Sequence, residues 1–157
     1  MELSVEPAVH ALDGGRVLLD VDVFLRNAGK VAIVPRFPDA DADQDVGLEI
    51  SIVELVPTLD RDPLAASGVT EPAVPWFDWT SGDGSPRSIL HKRNLLASND
   101  DFRHRRYQLN PGVRVREPFA CVVGRDRLYA IRARFWTDRG SVADLVYVDT
   151  FHVPAAP

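Results

Sequence analysis

The chain has 157 residues, a length typical of one domain that buries a hydrophobic core of its own. Its formal net charge of −5 argues against a nucleic-acid partner, because nucleic-acid binders present an excess of cations to phosphates. A single cysteine excludes an intrachain disulfide, and no apolar run reaches the roughly 18 residues of a membrane-spanning helix. The N-terminal residues lack the features of a signal peptide, so we expect a cytoplasmic protein with no membrane partner.

The first half of the sequence predicts three strands. Residues 3–9 form a first strand that contains Pro7, and proline is tolerated at a sheet edge because it has no N–H to donate. Residues 17–25 alternate most regularly, with an entirely aliphatic face made of Val17, Leu19, Val21, Val23 and Leu25. The turn at 27–30 ends this strand, and Leu48, Ile50 and Ile52 mark the next one.

Residues 57–106 interrupt this pattern with a long irregular excursion. Five prolines lie inside it at irregular intervals, and long stretches without regular elements are often functional loops. Within it we expect a short strand near residues 87–91. We also expect a helical turn near residues 98–102, capped by Ser98.

The C-terminal third, residues 107–153, predicts three further strands separated by turns at 110–112, 124–127 and 137–141. Period-two alternation broken by short turns is typical of antiparallel strands with one buried face. The whole chain, residues 1–157, is therefore predicted to be one all-β domain, an antiparallel Ig-like β-sandwich of seven to nine strands. A closed β-barrel is the alternative fold.

Two stretches carry a family resemblance. Residues 21–30 end a hydrophobic strand with Asn27-Ala-Gly-Lys30, and Leu109-Asn-Pro-Gly112 precedes the alternating residues 128–135. These segments resemble bacterial Ig-like or fibronectin-III-like sandwich domains, among them intracellular proteinase-inhibitor-like domains. The resemblance implies the sandwich fold and assigns no site residue, because one fold hosts many functions.

The two candidate nucleophiles are each better explained as structural residues, one in the core and one in a turn. Cys121 is a potential nucleophile with a histidine (His10, His91, His104 or His152), but it shares the inward register of Phe119 and Val123 and is expected to be buried. Ser85 lies in the turn Gly82-Asp-Gly-Ser-Pro86, which does not match the strained elbow of serine hydrolases. We therefore predict a protein that is not an enzyme and needs no cofactor.

Two charged segments stand out. The loop that holds Asp39, Asp41, Asp43 and Asp45 lacks the glycine and glutamate of an EF-hand, since Gln44 and Ile50 stand there, so no metal is predicted. A basic cluster surrounds Arg103, Arg105 and Arg106 and would orient an acidic protein surface.

The segment Pro75-Trp-Phe-Asp-Trp79 places Trp76, Phe77 and Trp79 in the irregular excursion, either as a local core or as a recognition loop. With the three arginines, these aromatic residues are the predicted partner-binding residues. Arginine supplies all but two of the 18 basic residues, a bias that we interpret as that of a GC-rich bacterial or phage genome. The sequence thus predicts a bacterial or phage protein-binding or assembly module: an adaptor, an inhibitor-like domain or a structural subunit. A carbohydrate-binding module is the alternative and a hydrolase the least favoured class, and self-association is left open.

Overall fold

The structure is a computed structural model that describes residues 1–14, 16–38, 46–55, 89–138 and 145–154. Within these ranges no helix is long and apolar enough to cross a membrane. The elements, in chain order, are β1 (Glu2–Ala11), β2 (Arg16–Arg26), β3 (Leu48–Leu55), β4 (Ile89–Asn94), a 3₁₀ helix (Leu95–Ser98), α1 (Asp100–Arg103), β5 (Arg114–Gly124), β6 (Arg127–Phe135) and β7 (Leu145–Val153).

The strands form two antiparallel sheets that pack as a β-sandwich, which confirms the predicted all-β fold. One sheet has the order β1-β2-β5 and the other the order β4-β3-β6-β7. Within the described ranges there are seven strands, the lower bound of the predicted number. The strand that contains Pro7 lies at a sheet edge, as its proline predicted.

The core lies between the two sheets and is built by period-two alternation. On β2 the five aliphatic residues predicted to face inward are all buried, at the odd positions from Val17 to Leu25. They meet Leu48, Ile50 and Ile52 of β3 and Ile131, Ala133 and Phe135 of β6 within one hydrophobic cluster.

The turn between β5 and β6 connects the two sheets. β5 pairs with β2, whereas β6 pairs with β3 and β7, so the tight turn after Gly124 joins strands that are not paired with each other. Tyr129, just after this corner, turns its hydroxyl back to Gly124: it accepts a hydrogen bond from the Gly124 N–H (2.8 Å) and donates to the Gly124 carbonyl (3.1 Å). These bonds fix the crossing between the sheets.

The predicted strand and helical turn of the 57–106 excursion are both present, with shifted bounds. The strand is β4 (Ile89–Asn94), and the helical turn is α1 (Asp100–Arg103). The predicted cap was wrong: Asn99, not Ser98, accepts the hydrogen bond from the Phe102 N–H, at 3.1 Å. Phe102 is buried against Phe37 and Gly47, and a Cβ at Gly47 would lie 2.8 Å from the Phe102 ring.

Most of the described connections gather at one end of the sandwich, where β2, β4 and β6 finish and β3, β5 and β7 begin. We call this the loop-bearing end; its described connections are residues 27–38, 46–47, 95–113 and 136–138. Connections grouped on a rigid scaffold are where binding residues concentrate in sandwich proteins.

Candidate functional site

Asn27 organises the loop-bearing end from a fully buried position, with 0% of its surface exposed. Its side-chain amide donates to the carbonyl of Val31 (2.8 Å) and to that of Leu109 (2.9 Å), and its side-chain oxygen accepts from the Gly29 N–H (2.9 Å). Its backbone N–H donates to the Val113 carbonyl, and its carbonyl accepts from Gly112. One side chain therefore joins the turn after β2 to the turn before β5.

The segment that follows is held on both sides by backbone hydrogen bonds. Ile33 exchanges two bonds with Leu109, at 3.0 and 2.8 Å. Further along, the Arg36 N–H donates to the Trp136 carbonyl (2.8 Å), and the Asp138 N–H donates to the Val34 carbonyl (3.3 Å). The connections that follow β2, β4 and β6 are thus joined into one cap, whose surface is preorganised for binding.

This cap exposes apolar side chains. Val31 is 67% exposed, and Met1 and Val113 are also exposed large hydrophobic residues. Next to Val31 lies a depression of about 180 Å³, lined by Met1, residues 31–34, Thr137 and Asp138. Its volume is below the roughly 300 Å³ at which small-molecule pockets begin, so it suits one inserted side chain better than a whole ligand.

The three arginines predicted to contact a partner lie on the cap and have intrachain contacts. Arg103 forms an ion pair with Asp100, and Arg106 lies 3.2 Å from an Asp101 carboxylate oxygen. Arg105, which has a left-handed backbone (φ 57°), donates to the Pro38 carbonyl at 2.8 Å. An acidic partner would have to extend or displace exposed pairs that each contribute little to stability.

The outer face of the four-stranded sheet carries a buried ion-pair network that the sequence did not indicate. Glu49, whose side chain is only 7% exposed, accepts from Arg134 Nη2 (2.5 Å) and lies 3.1 Å from Lys92 Nζ. The Arg134 guanidinium stacks over the Trp136 ring, 4.5 Å from its centroid. Ser51 and Val53 are also buried on this face, whereas Val146 at its β7 edge is 58% exposed.

A second depression, of about 350 Å³, lies on the outer face of the three-stranded sheet. It is lined by Glu2, Ser4, Phe24, Arg26 and Arg114. The Arg114 guanidinium lies 4.0 Å above the Phe24 ring centroid and so covers the face on which a sugar would stack. This arrangement disfavours the depression as a carbohydrate platform.

Cys121 has the inward position predicted for it. It is 8% exposed, and no hydrogen bond joins it to a histidine among the described residues. Burial raises the pKa of its thiol to about 11. The thiolate is the nucleophilic form, so both burial and the raised pKa of the thiol are those of a core cysteine.

We therefore predict that the Cys121 thiol of the folded chain reacts with a thiol-specific disulfide reagent at about pH 8 far more slowly than that of the unfolded chain, because the reactive thiolate is scarce. The measurement is the rate at which the reagent's leaving thiol is released on reaction with Cys121. It is compared between the native chain and the same chain in concentrated guanidinium chloride. Similar rates in the two states would show an accessible, activated thiol.

Several predicted features lie outside the described residues: Trp76, Phe77 and Trp79, the Asp39–Asp45 loop, and Ser85. Among the residues that the structure does describe, no group of three or more His, Cys, Asp or Glu side chains could hold a metal ion.

Comparison of the chain with family models, with curated proteins and with solved structures found no match in any of the three. The site must therefore be interpreted from its own geometry.

Proposed function

We propose that this chain is an Ig-like, non-enzymatic binding module that recognises another protein through its loop-bearing end. The observation that carries the proposal is a cap of cross-bonded connections that holds Val31 in an exposed position beside a depression of side-chain size. Exposed apolar groups on a rigid surface are typical anchors of protein interfaces, because binding removes them from water at little ordering cost.

The Ig-like assignment is supported by strand order. β1, β2 and β5 share one sheet, while β3, β6 and β7 share the other, as strands A, B, E and C, F, G do in Ig domains. The hydroxyl of Tyr129 bonds to the backbone at the corner that precedes the sixth strand, which resembles the tyrosine corner of that fold. β4 departs from the constant-type order, because it pairs with β3 instead of β5.

The arginines would supplement the apolar anchor. Arg103, Arg105 and Arg106 lie on the connection that follows β4, and their guanidinium groups would steer an acidic surface towards the cap. Trp76, Phe77 and Trp79 remain predicted anchors. Adaptor, inhibitor-like and structural-subunit roles are versions of the same proposal that differ in the partner. We place the module in the cytoplasm of a bacterium or phage-infected cell.

The test compares partner capture by three forms of the tagged chain: wild type, Val31→Asp and Val122→Asp. Val122 is the matched control, because it is an exposed valine on the outer face of β5, away from the cap. We expect a stoichiometric partner with the wild type and with Val122→Asp, and a loss of at least tenfold in recovery with Val31→Asp. Equal recovery by all three forms would contradict the proposed surface.

A carbohydrate-binding module is the second candidate and rests on the aromatic residues Trp76, Phe77 and Trp79. It predicts that glycans bind the wild type and not Trp76→Ala/Trp79→Ala, whereas Val31→Asp leaves glycan binding unchanged. Glycan binding without protein capture would replace the proposed function with this one.

A further inference from the structure

The edges of the two sheets are unequally protected against pairing with another chain. A sheet edge presents unpaired N–H and C=O groups, and soluble proteins block it with proline, bulges or lysine. The Leu12 N–H donates to the Arg16 carbonyl, and this pair continues the register of β1 and β2. Because bonded pairs alternate along an antiparallel ladder, the backbone groups of even-numbered β1 residues point to β2 and those of odd-numbered residues point to the free edge. Pro7, an odd residue, therefore directs its ring nitrogen to the free edge and removes a donor there.

The other edge of the same sheet, the strand β5, is also protected by a proline. The bond from the Asn27 N–H to the Val113 carbonyl shows that odd-numbered residues of β5 bond to β2. Pro118 therefore lies on the free edge of β5. In the second sheet, the edge strand β4 has a register shift opposite Ile52 and Val53 and carries Lys92 and Arg93. Three of the four described edges are thus blocked.

The fourth edge strand, β7, has none of these devices. Its nine residues, LVYVDTFHV, contain no proline, glycine or lysine, and they pair with β6 in an unbroken register. Val146 is 58% exposed. β1 contacts β7 across the sandwich but belongs to the other sheet. A long, regular and apolar edge strand of this kind is a template for strand addition.

The alternation of hydrogen bonds along β6 shows which residues of β7 direct their backbone N–H and C=O groups away from β6. The Trp136 N–H donates to the Gly47 carbonyl, so even-numbered β6 residues bond to β3 and odd-numbered ones to β7. Odd residues of β6 pair with odd residues of β7, so Val146, Val148, Thr150 and His152 point their backbone groups outward. Consistently, the Thr150 N–H donates to the side chain of its own neighbour, Asp149, at 2.8 Å.

We propose that a second copy of this chain pairs antiparallel with β7, with the twofold axis at Val148. This register places Val148 opposite itself and Val146 opposite Thr150 of the second copy. The backbone groups of all three residues point outward, and the Thr150 N–H would have to exchange its bond to Asp149 for one to the second copy. On the inward face, Tyr147 meets Asp149 of the second copy. Within one chain the Tyr147 hydroxyl already donates to Asp149, at 3.3 Å, so the pair is chemically matched.

Charge disfavours the registers whose axis lies further towards the C-terminal end of β7. An axis at Asp149 would place two carboxylates directly opposite each other, which is unfavourable. An axis at Thr150 would place Asp149 opposite Phe151 and leave the carboxylate without a donor. With the axis at Val148, seven residues of each copy form the ladder, and no like charges face each other. Asp149 thus disfavours both of these alternative registers.

Disulfide trapping of the full-length chain tests the register, because Cys121 is buried and an added cysteine is the accessible thiol. Directly opposed residues lie about 5.5 Å apart between Cα atoms, within disulfide range. We expect Val148→Cys to form a covalent dimer on mild oxidation at least tenfold faster than Val122→Cys. Val146→Cys and Thr150→Cys should each remain monomeric alone and cross-link when mixed.

Sedimentation of the reduced, unmodified chain gives the second readout. We expect a concentration-dependent monomer–dimer equilibrium, which Val148→Lys shifts to the monomer because two lysines would face each other. At concentrations where both chains are monomeric, the variant and the wild type should share the same thermal unfolding transition. Cross-linking of Val148→Cys no faster than that of Val122→Cys would overturn the proposal. So would a wild-type chain that stays monomeric at its highest soluble concentration.

Discussion

Replacing Asn27 by aspartate is expected to destabilise the folded chain by about 3 kcal/mol or more. The substitution preserves shape but removes the amide that donates to the Val31 and Leu109 carbonyls. Each buried group that loses its hydrogen-bond partner costs about 1–3 kcal/mol, and the new carboxylate would lie against two carbonyl oxygens. Chemical denaturation followed by tryptophan fluorescence measures the loss.

Asn110→Asp is the matched control for this measurement. Asn110 is exposed in the turn before β5, and the structure uses its backbone carbonyl, which accepts from the Val113 N–H. The same chemical change there should alter the free energy of unfolding by less than about 0.5 kcal/mol. If the two variants lose equal stability, Asn27 is not what holds the cap together.

Replacing Glu49 by glutamine is expected to cost about 2–4 kcal/mol. The carboxylate is buried and pairs with Arg134 and Lys92, so the neutral amide removes a negative charge from beside a largely buried guanidinium. Removing one partner of a buried ion pair is costly for this reason, and the residual exposure of Arg134 places the effect below that of a fully buried pair. Thermal and denaturant unfolding measure it.

Glu54→Gln controls for the chemical change. Glu54 pairs with Arg127 in the same sheet, but the guanidinium is mostly exposed, so this variant should lose less than about 1 kcal/mol. Equal losses at positions 49 and 54 would show that burial of the Glu49 network contributes nothing beyond surface pairing.

Local patterns in the sequence predicted the strands and the orientation of their side chains. Alternation located the buried face of β2 and the inward position of Cys121, and Pro7 predicted an edge strand. These features depend on residues close together in the chain. The switch of sheets after Gly124 could not be predicted in this way, because a tight turn between alternating strands is equally typical of a hairpin.

The candidate site depends on contacts between distant residues. Asn27 was interpreted as the residue that ends a strand, yet its amide bonds to Leu109, 82 positions away. Leu48, Ile50 and Ile52 indicated the strand β3, but alternation gives no sign that Glu49, on its outer face, is buried as well. The residues after the turn at 27–30 likewise gave no indication that Val31 would be an exposed apolar residue on a rigid cap.

Hydrogen–deuterium exchange of the chain, alone and with its captured partner, tests the central claim most directly. We predict that the partner slows exchange in the cap, residues 27–38, 95–113 and 136–138, and leaves the β1-β2-β5 sheet unchanged. Protection confined to that sheet or to the opposite end of the sandwich, with the cap unaffected, would contradict recognition through the loop-bearing end.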